Sequence, residues 1–308
     1  MKKAIITGAD GFVGSNTVKE FLAQGVKILA IDLPSTPARL TENENLRYIS
    51  CDVNDLSGLK EELTAEGCDT FVHFAWQGSA GPLRADYDIQ VKNALTTVEL
   101  MKLAKEIGCK RFVGAGSIME REVEAAIRTQ GTQPGAGYIY GIGKYLAHML
   151  CKTVAADIGI ELVWALITNA YGVGELSPRF VNNTIRKIIS NEPLQFTAAT
   201  QNYDFVYVSD VAKAFYSVAS DGKPFCEYLI GSGGAKPLKE FIIEMQNELA
   251  PNLELSFGDI PFTGTDLPLA CFDTTDTEND TGFVPEIGFA EGTKKTMQWL
   301  KSVEEKNQ

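Results

Sequence analysis

Through the first half of the chain, short β-branched runs alternate with longer amphipathic stretches. KAIIT (to Thr7), VKILAID (26–32), LRYISCD (46–52), DTFVHFA (69–75) and RFVGAG (111–116) are the expected strands, with helical patterns in every gap. Strands that are apolar almost throughout, each separated from the next by a helix, describe a parallel sheet covered on both faces. Every crossover helix has one stripe to bury against that sheet. The fold class is therefore α/β, a doubly wound parallel sheet. A sixth strand is expected at IELVWALIT (160–168), after a helix over Tyr138 to Asp157. Beyond it the strict alternation fades. Helical patterns near 178–190, 209–220, 237–249 and 289–303 are divided by Pro/Gly-rich joints, which reads as a smaller mixed α/β domain. Residues 1–170 are expected to form the first domain, with 204–230 returning to it, and residues 171–203 and 231–308 the second. The chain carries no internal repeat, heptad pattern or low-complexity tract.

Composition narrows the function classes. With 308 residues, 44% of them hydrophobic, the chain can bury a full core. Forty acidic against 28 basic residues, a net charge of −12, leave no electrostatic footprint for nucleic acid or an anionic membrane surface. An anionic ligand must then be held by a few placed donors. The six cysteines (Cys51, Cys68, Cys109, Cys151, Cys226, Cys271) stand singly and read as reduced thiols. No apolar run approaches the roughly 20 residues of a spanning helix, and the first, Ala4 to Ile6, is too short for a signal segment, so a soluble, cytoplasmic protein is expected. The only histidines, His73 and His148, form no cluster for a metal and read as structural.

Directly after the first strand comes TGADGFVG, with Gly8, Gly11 and Gly14 at G-x-x-G-x-x-G spacing and a helix opening at Phe12 and Val13. Glycines there permit a tight turn and close approach of the backbone to a pyrophosphate, whose charge lies on the helix N-terminal N–H groups. A dinucleotide site is expected. Asp32 ends the second strand where an acid reaches the adenosine ribose, accepting from both hydroxyls and repelling a 2′-phosphate, which favours NAD over NADP. Its other reading is a turn aspartate before Pro34, and Arg39 keeps NADP open. Asp52 and Val53 follow the third strand, where a carboxylate could meet the adenine amino group or simply form a turn.

Tyr140 and Lys144, in YIYGIGKYLAHML, stand four apart and share one face of the expected helix. A free phenol has a pKa near 10, and an ammonium beside it favours the phenolate, so Tyr140 could exchange a proton with a substrate hydroxyl. The Ser117 hydroxyl would hydrogen-bond the reacting oxygen. Tyr138 lies on another face. Glu120, Glu122 and Glu124 read as a solvated loop or helix face. Trp76, Gln77 and Arg84 fall at the carboxyl edge of the sheet and are candidate substrate contacts; for Trp76, packing alone is the competing reading.

With these residues in view, the chain resembles the extended short-chain dehydrogenase/reductases, the NAD-dependent nucleotide-sugar epimerases, dehydratases and ketoreductases. TGADGFVG resembles their cofactor loop, VHFAW (72–76) the strand before the nicotinamide region, Asn93 a mid-helix asparagine, and GSI with YGIGK the serine and tyrosine–lysine motifs. NAYGVG (169–174), DFVYVSDVA (204–212) and TGFVPEIGFAEGTKKTMQWL (281–300) resemble later family segments. The resemblance implies a Rossmann-type fold with the substrate between two domains. It further implies cofactor contacts from Phe74, Ala75, Trp76, Asn93 and Lys144, and substrate contacts that include Asn169. It also implies hydride transfer at a ring carbon of a nucleotide-linked sugar, and a homodimer formed by the helices around 86–106 and 138–157.

Departures narrow the chemistry. Family dehydratases carry an Asp-Glu pair directly after the catalytic Ser or Thr; Ile118 and Met119 stand there instead, which argues for a 4-ketoreductase or epimerase. Two arginines usual in the family are Tyr203 and Leu166, so Arg84 or Arg179 would have to hold a sugar diphosphate, unless the substrate has none. The alternatives are a reductase of a non-nucleotide carbonyl compound and a non-catalytic NAD(P)-binding sensor.

Overall fold

The computed structural model describes residues 1–64 and 66–306. The first half contributes, in order, β1 (Lys3–Thr7), α1 (Phe12–Ala23), β2 (Lys27–Asp32), β3 (Leu46–Ser50), α2 (Leu56–Leu63), β4 (Thr70–His73), α3 (Tyr87–Glu106), β5 (Arg111–Ser117), α4 (Met119–Arg128), α5 (Ile139–Ile158) and β6 (Glu161–Ile167). The second half follows with β7 (Asn169–Tyr171), α6 (Phe180–Ile189), β8 (Leu194–Phe196), β9 (Asn202–Tyr203), β10 (Phe205–Tyr207), α7 (Val208–Asp221), β11 (Glu227–Ile230), β12 (Lys236–Pro237), α8 (Leu238–Leu249), β13 (Leu255–Phe257), α9 (Thr275–Thr281) and α10 (Phe289–Lys306).

Seven strands form one parallel sheet in the order β11-β6-β5-β4-β1-β2-β3. The inner strands β1, β2, β4, β5 and β6 are buried on both faces because helices cover both, whereas edge strand β3 buries only Ile49, and the gap between β2 and β3 is crossed by a loop where a helix was expected. On one side Val18 and Phe21 of α1 and Phe215 and Val218 of α7 pack on the sheet; on the other, Leu59 of α2, Met101 of α3 and Cys151 of α5 do so. Phe71 and Phe112, neighbours on β4 and β5, stack with centroids 5.4 Å apart and are fully buried. Truncating either to Ala would cost about 3–5 kcal/mol.

A second core forms where α6, α8 and α10 enclose the short ladders β10–β7 and β13–β8. Its centre is Phe205, with Phe241 and Phe289 at centroid distances of 5.0 and 5.2 Å. These ladders, each three residues long, carry too little periodicity to be seen in sequence. Among the described residues no helix is long and apolar enough to cross a membrane, and no group of three or more His, Cys, Asp or Glu side chains could hold a metal ion.

Candidate active site

The chain winds outward from β1 to β2 and β3 in one direction, and from β4 to β5, β6 and β11 in the other. Between β1 and β4 the order reverses, and a crevice must open at the carboxyl ends of the strands. A cleft of about 580 Å³ lies there.

One wall is the glycine turn. Gly8 has φ +66°, and a Cβ on it would stand 2.6 Å from the Ala75 amide nitrogen; a Cβ on Gly14 would stand 2.0 Å from the Gly8 carbonyl oxygen. Gly11 caps α1 without any side-chain hydrogen bond, so the first-turn N–H groups at Phe12, Val13 and Gly14 have no capping side chain. All five of these residues line the cleft. A backbone cradle at the positive end of a helix dipole fits a pyrophosphate.

Asp32 lines the same cleft. Its carboxylate is oriented by the Asp10 and Leu33 N–H groups, each donating at 2.8 Å, and lone pairs remain for ribose hydroxyls. Arg39, which left NADP open, donates instead to the carbonyls of Asp10 (2.9 Å) and Gly174 (3.2 Å). It straps the loop after β2 to the loop after β7. Asp52 and Val53 line the cleft as well, and Asp52 also forms the expected turn, accepting from the Asn54 N–H at 2.9 Å.

At the other end Ser117, Tyr140 and Lys144 meet. β5 ends at Ser117, α5 begins one residue before Tyr140, and all three line the cleft with Phe74, Ala75, Trp76, Gln77, Asn93 and Arg179. Lys144 Nζ donates to the Ala115 carbonyl at 2.8 Å and lies 3.7 Å from the centre of the Trp76 ring. Burial pulls this lysine down to about 7, with the Glu120 charge acting the other way. Burial pushes Tyr140 up; the charges of Arg84 and Arg179 and a hydrogen bond with Ser117 oppose it. The cations acting on the phenol are thus arginines, where the sequence pointed to Lys144. Arg84 stacks on Tyr140 with its guanidinium carbon 4.2 Å from the ring centre. Arg84 and Arg179 both donate to the Ser79 carbonyl, at 3.0 and 3.4 Å, which brings two positive charges to one side of the phenol.

Gln90, fully buried on α3, was not singled out in the sequence. It accepts from the Trp76 indole N–H at 2.7 Å and donates to Leu83 O at 3.0 Å. It thereby shapes the 76–84 loop that presents Arg84. Gln77 and Asn93 exchange hydrogen bonds: Asn93 Nδ2 donates to Gln77 O at 2.8 Å, and Gln77 N–H to Asn93 Oδ1 at 3.2 Å.

Two of the candidate substrate contacts, Asn169 and Arg84, do not line the cleft, and the expectation of a solvated acidic face is corrected. Asn169 does not line the cleft: its side-chain amide donates to Asp204 O at 3.0 Å, at the join of β7 and β10. The run after Ser117 is no solvated face, since Glu120 is 2% exposed and burial raises Glu122 to about 7, with Arg84 opposing. The reason is that α4 packs on α5 and turns its first acids inward. Arg84 reaches the site through the Tyr140 ring rather than by lining the cleft. His73 is buried between the hydroxyls of Thr7 (2.7 Å) and Thr97 (3.1 Å) and pushed down to about 3 by burial and by Lys144. Tyr138 turns aside to the Thr265 hydroxyl.

The chain is similar to known proteins over nearly its whole length. A putative UDP-glucose 4-epimerase of Methanocaldococcus jannaschii is 25% identical over 97% of this chain and 98% of its own length. The structure described as MoeE5 in complex with UDP-glucuronic acid and NAD is 26% identical, with TM-score 0.77 over 98% of this chain and 99% of that one. A Thermotoga maritima UDP-glucose 4-epimerase solved with UDP-glucose superposes with TM-score 0.78 at 19% identity over 98% of this chain and 99% of that one. The family model described as NAD dependent epimerase/dehydratase family matches residues 4–231, and this chain belongs to that family.

Proposed function

We propose that the protein is an oxidoreductase that uses NAD on a nucleotide-linked sugar, as a 4-ketoreductase or an epimerase, with Tyr140 as the acid/base. The observation that carries this reading is the convergence of Ser117, Tyr140 and Lys144 at one end of the cleft whose other end is the glycine turn with Asp32. NAD, when bound, accepts or returns a hydride at its nicotinamide ring. The protein's own residues do the rest. The first turn of α1 holds the pyrophosphate and Asp32 the adenosine ribose. Asp52 and Val53 border the adenine. Phe74, Ala75, Trp76 and Asn93 border the nicotinamide end, where Lys144 faces the ribose. Ser117 donates to the sugar oxygen while Tyr140 takes or gives its proton.

Arg84 and Arg179 supply the fixed donors that an anionic part of the substrate needs, in place of the arginines absent at Leu166 and Tyr203. Gln77 borders the same region. Dehydration is disfavoured because Ile118 and Met119 carry no acid. Ile118 is buried against Leu267 and Phe272, and Glu120 is occupied beneath Ser117. Residues 171–203 and 231–308 form the substrate-binding part, 307 and 308 lying outside the described residues. A homodimer would bury the exposed apolar stripe of Tyr87, Val91 and Leu95 on α3 together with Ile142 and Met149 on α5.

The test is assay of the purified protein with UDP-glucose, UDP-glucuronic acid and dTDP-glucose while following absorbance of the reduced cofactor. An isomerised sugar without net cofactor turnover identifies an epimerase, and stoichiometric turnover a reductase. No reaction with any nucleotide sugar, together with no NAD binding, would refute the proposal.

A further inference from the structure

Beneath the Ser117 turn lies a polar cluster that the reaction as described leaves unused. Glu120 Oε1 accepts the Ser117 backbone N–H at 3.0 Å and the Trp164 indole N–H at 3.1 Å; its Oε2 lies 3.0 Å from His148 Nδ1. The imidazole and indole rings stack, with centroids 4.7 Å apart and planes within 8°. Two glycines of β5 make room for the cluster. A Cβ on Gly116 would stand 2.4 Å from Trp164 Nε1 and 2.6 Å from Glu120 Oε1, and one on Gly114 would stand 2.2 Å from Trp164 Cζ3. A carboxyl group buried this far needs polar partners for both oxygens, and here three nitrogens converge on it.

The cluster grips the catalytic strand end. Glu120 holds the N–H of Ser117, while Lys144 holds the carbonyl of Ala115 two residues earlier. Its charge acts on both titrating groups of the site, favouring the Lys144 ammonium and opposing the Tyr140 phenolate. Resting on the roles given above to Ser117, Tyr140 and Lys144, we propose that Glu120 is a positioning residue, held by Trp164 and His148, which fixes Ser117 and sets the pH range in which Lys144 and Tyr140 work.

The other charged and titratable groups around it do not replace that charge. On β11, Glu227 approaches His148 but is paired with Arg121 of α4, which also meets Glu124. On β4, His73 is held by two threonines. Arg84 and Arg179 beside Tyr140 are both positive.

Removing a negative charge makes both the ammonium and the phenol more acidic, so both limbs of the rate–pH curve move the same way. In Glu120→Gln, with NAD bound, the curve of kcat against pH is expected to slide to lower pH by about one unit. The kcat is expected to fall at least tenfold, with NAD affinity within twofold of wild type. Tyr140 can also be titrated without turnover, from the phenolate absorbance difference between each protein and its Tyr140→Phe counterpart. That midpoint should fall with Glu120→Gln even if no sugar tested is a substrate, which separates this proposal from the one on function. A lower kcat with both titrations unmoved would show an ordinary structural residue and overturn the proposal. If Glu120→Gln does not fold, His148→Phe keeps the ring stacked on Trp164, removes the nitrogen beside Glu120 Oε2 and leaves the carboxylate. With one partner fewer to balance it, that charge acts more strongly on Lys144 and Tyr140, so the curve should move to higher pH, and an unmoved curve overturns the proposal.

Discussion

Replacing Arg84 by Met tests how the phenol is tuned. The guanidinium carbon lies 4.2 Å from the centre of the Tyr140 ring, and its charge is the foremost influence opposing the upward push of burial on Tyr140. Unit charges about 5 Å apart at an effective dielectric near 20 attract by about 3 kcal/mol, or roughly two pH units of phenol acidity. The side chain is half-buried rather than sealed, and solvent screening reduces this to about one to two units. Methionine keeps the stem volume and removes the charge. In the direction of sugar oxidation the phenolate is the active form, present above the Tyr140 pKa. Losing the cation raises that pKa, so the acid limb of kcat should move to higher pH by about one to two units. The rate at neutral pH should fall about ten- to a hundredfold. The shift is opposite in sign to that expected on removing the Glu120 charge. The assay is the rate–pH curve of the NAD-loaded protein with the nucleotide sugar that it turns over in the assay proposed above. An equal loss at every pH with the limb unmoved would refute the reasoning and leave Arg84 with substrate binding alone.

Further outcomes follow from the cleft and the surface. Gly8→Ala places a Cβ 2.6 Å from the Ala75 nitrogen at φ +66°, so NAD affinity by calorimetry should fall at least about a hundredfold, with backbone strain of about 1–3 kcal/mol visible as a lower Tm. Asp32→Ala removes the acid at the adenosine ribose, and NAD should bind about tenfold more weakly while NADP loses its repulsion; an unchanged NAD/NADP ratio would place the ribose elsewhere. Leu95→Arg puts a charge into the apolar stripe of α3, where Leu95 is 54% exposed, and light scattering should report a monomer whose Tm, measured alongside, changes little.

The sheet was legible because its inner strands are buried on both faces: ILAI in β2 and FVG in β5 are apolar on successive residues, and no surface element needs that. The glycine turn was legible for a related reason, since its residues answer to backbone geometry rather than to partners. What eluded the sequence depends on contacts across the fold. Glu120 sits in a run of acids that reads as solvated. Only packing of α4 on α5, and the space opened beside Trp164 by Gly114 and Gly116, turns it inward. Arg84 was a candidate for the diphosphate, and nothing in its neighbours along the chain tells that Gln90 shapes the loop that lays it on Tyr140. The helix spacing of Tyr140 and Lys144 was read correctly. Helix spacing cannot show, however, that Lys144 is directed to Ala115 and the Trp76 ring, leaving the phenol to two arginines.

The central claim is that the Tyr140 phenol moves the proton while a nicotinamide bound in the same cleft takes the hydride. It is tested most directly by rapid mixing of NAD-loaded protein with a nucleotide sugar, following reduced nicotinamide in wild type and Tyr140→Phe. Equal NAD affinity with a rate of reduction lowered about 10²- to 10⁴-fold is the predicted result. Reduction in the Tyr140→Phe protein at the wild-type rate would contradict it.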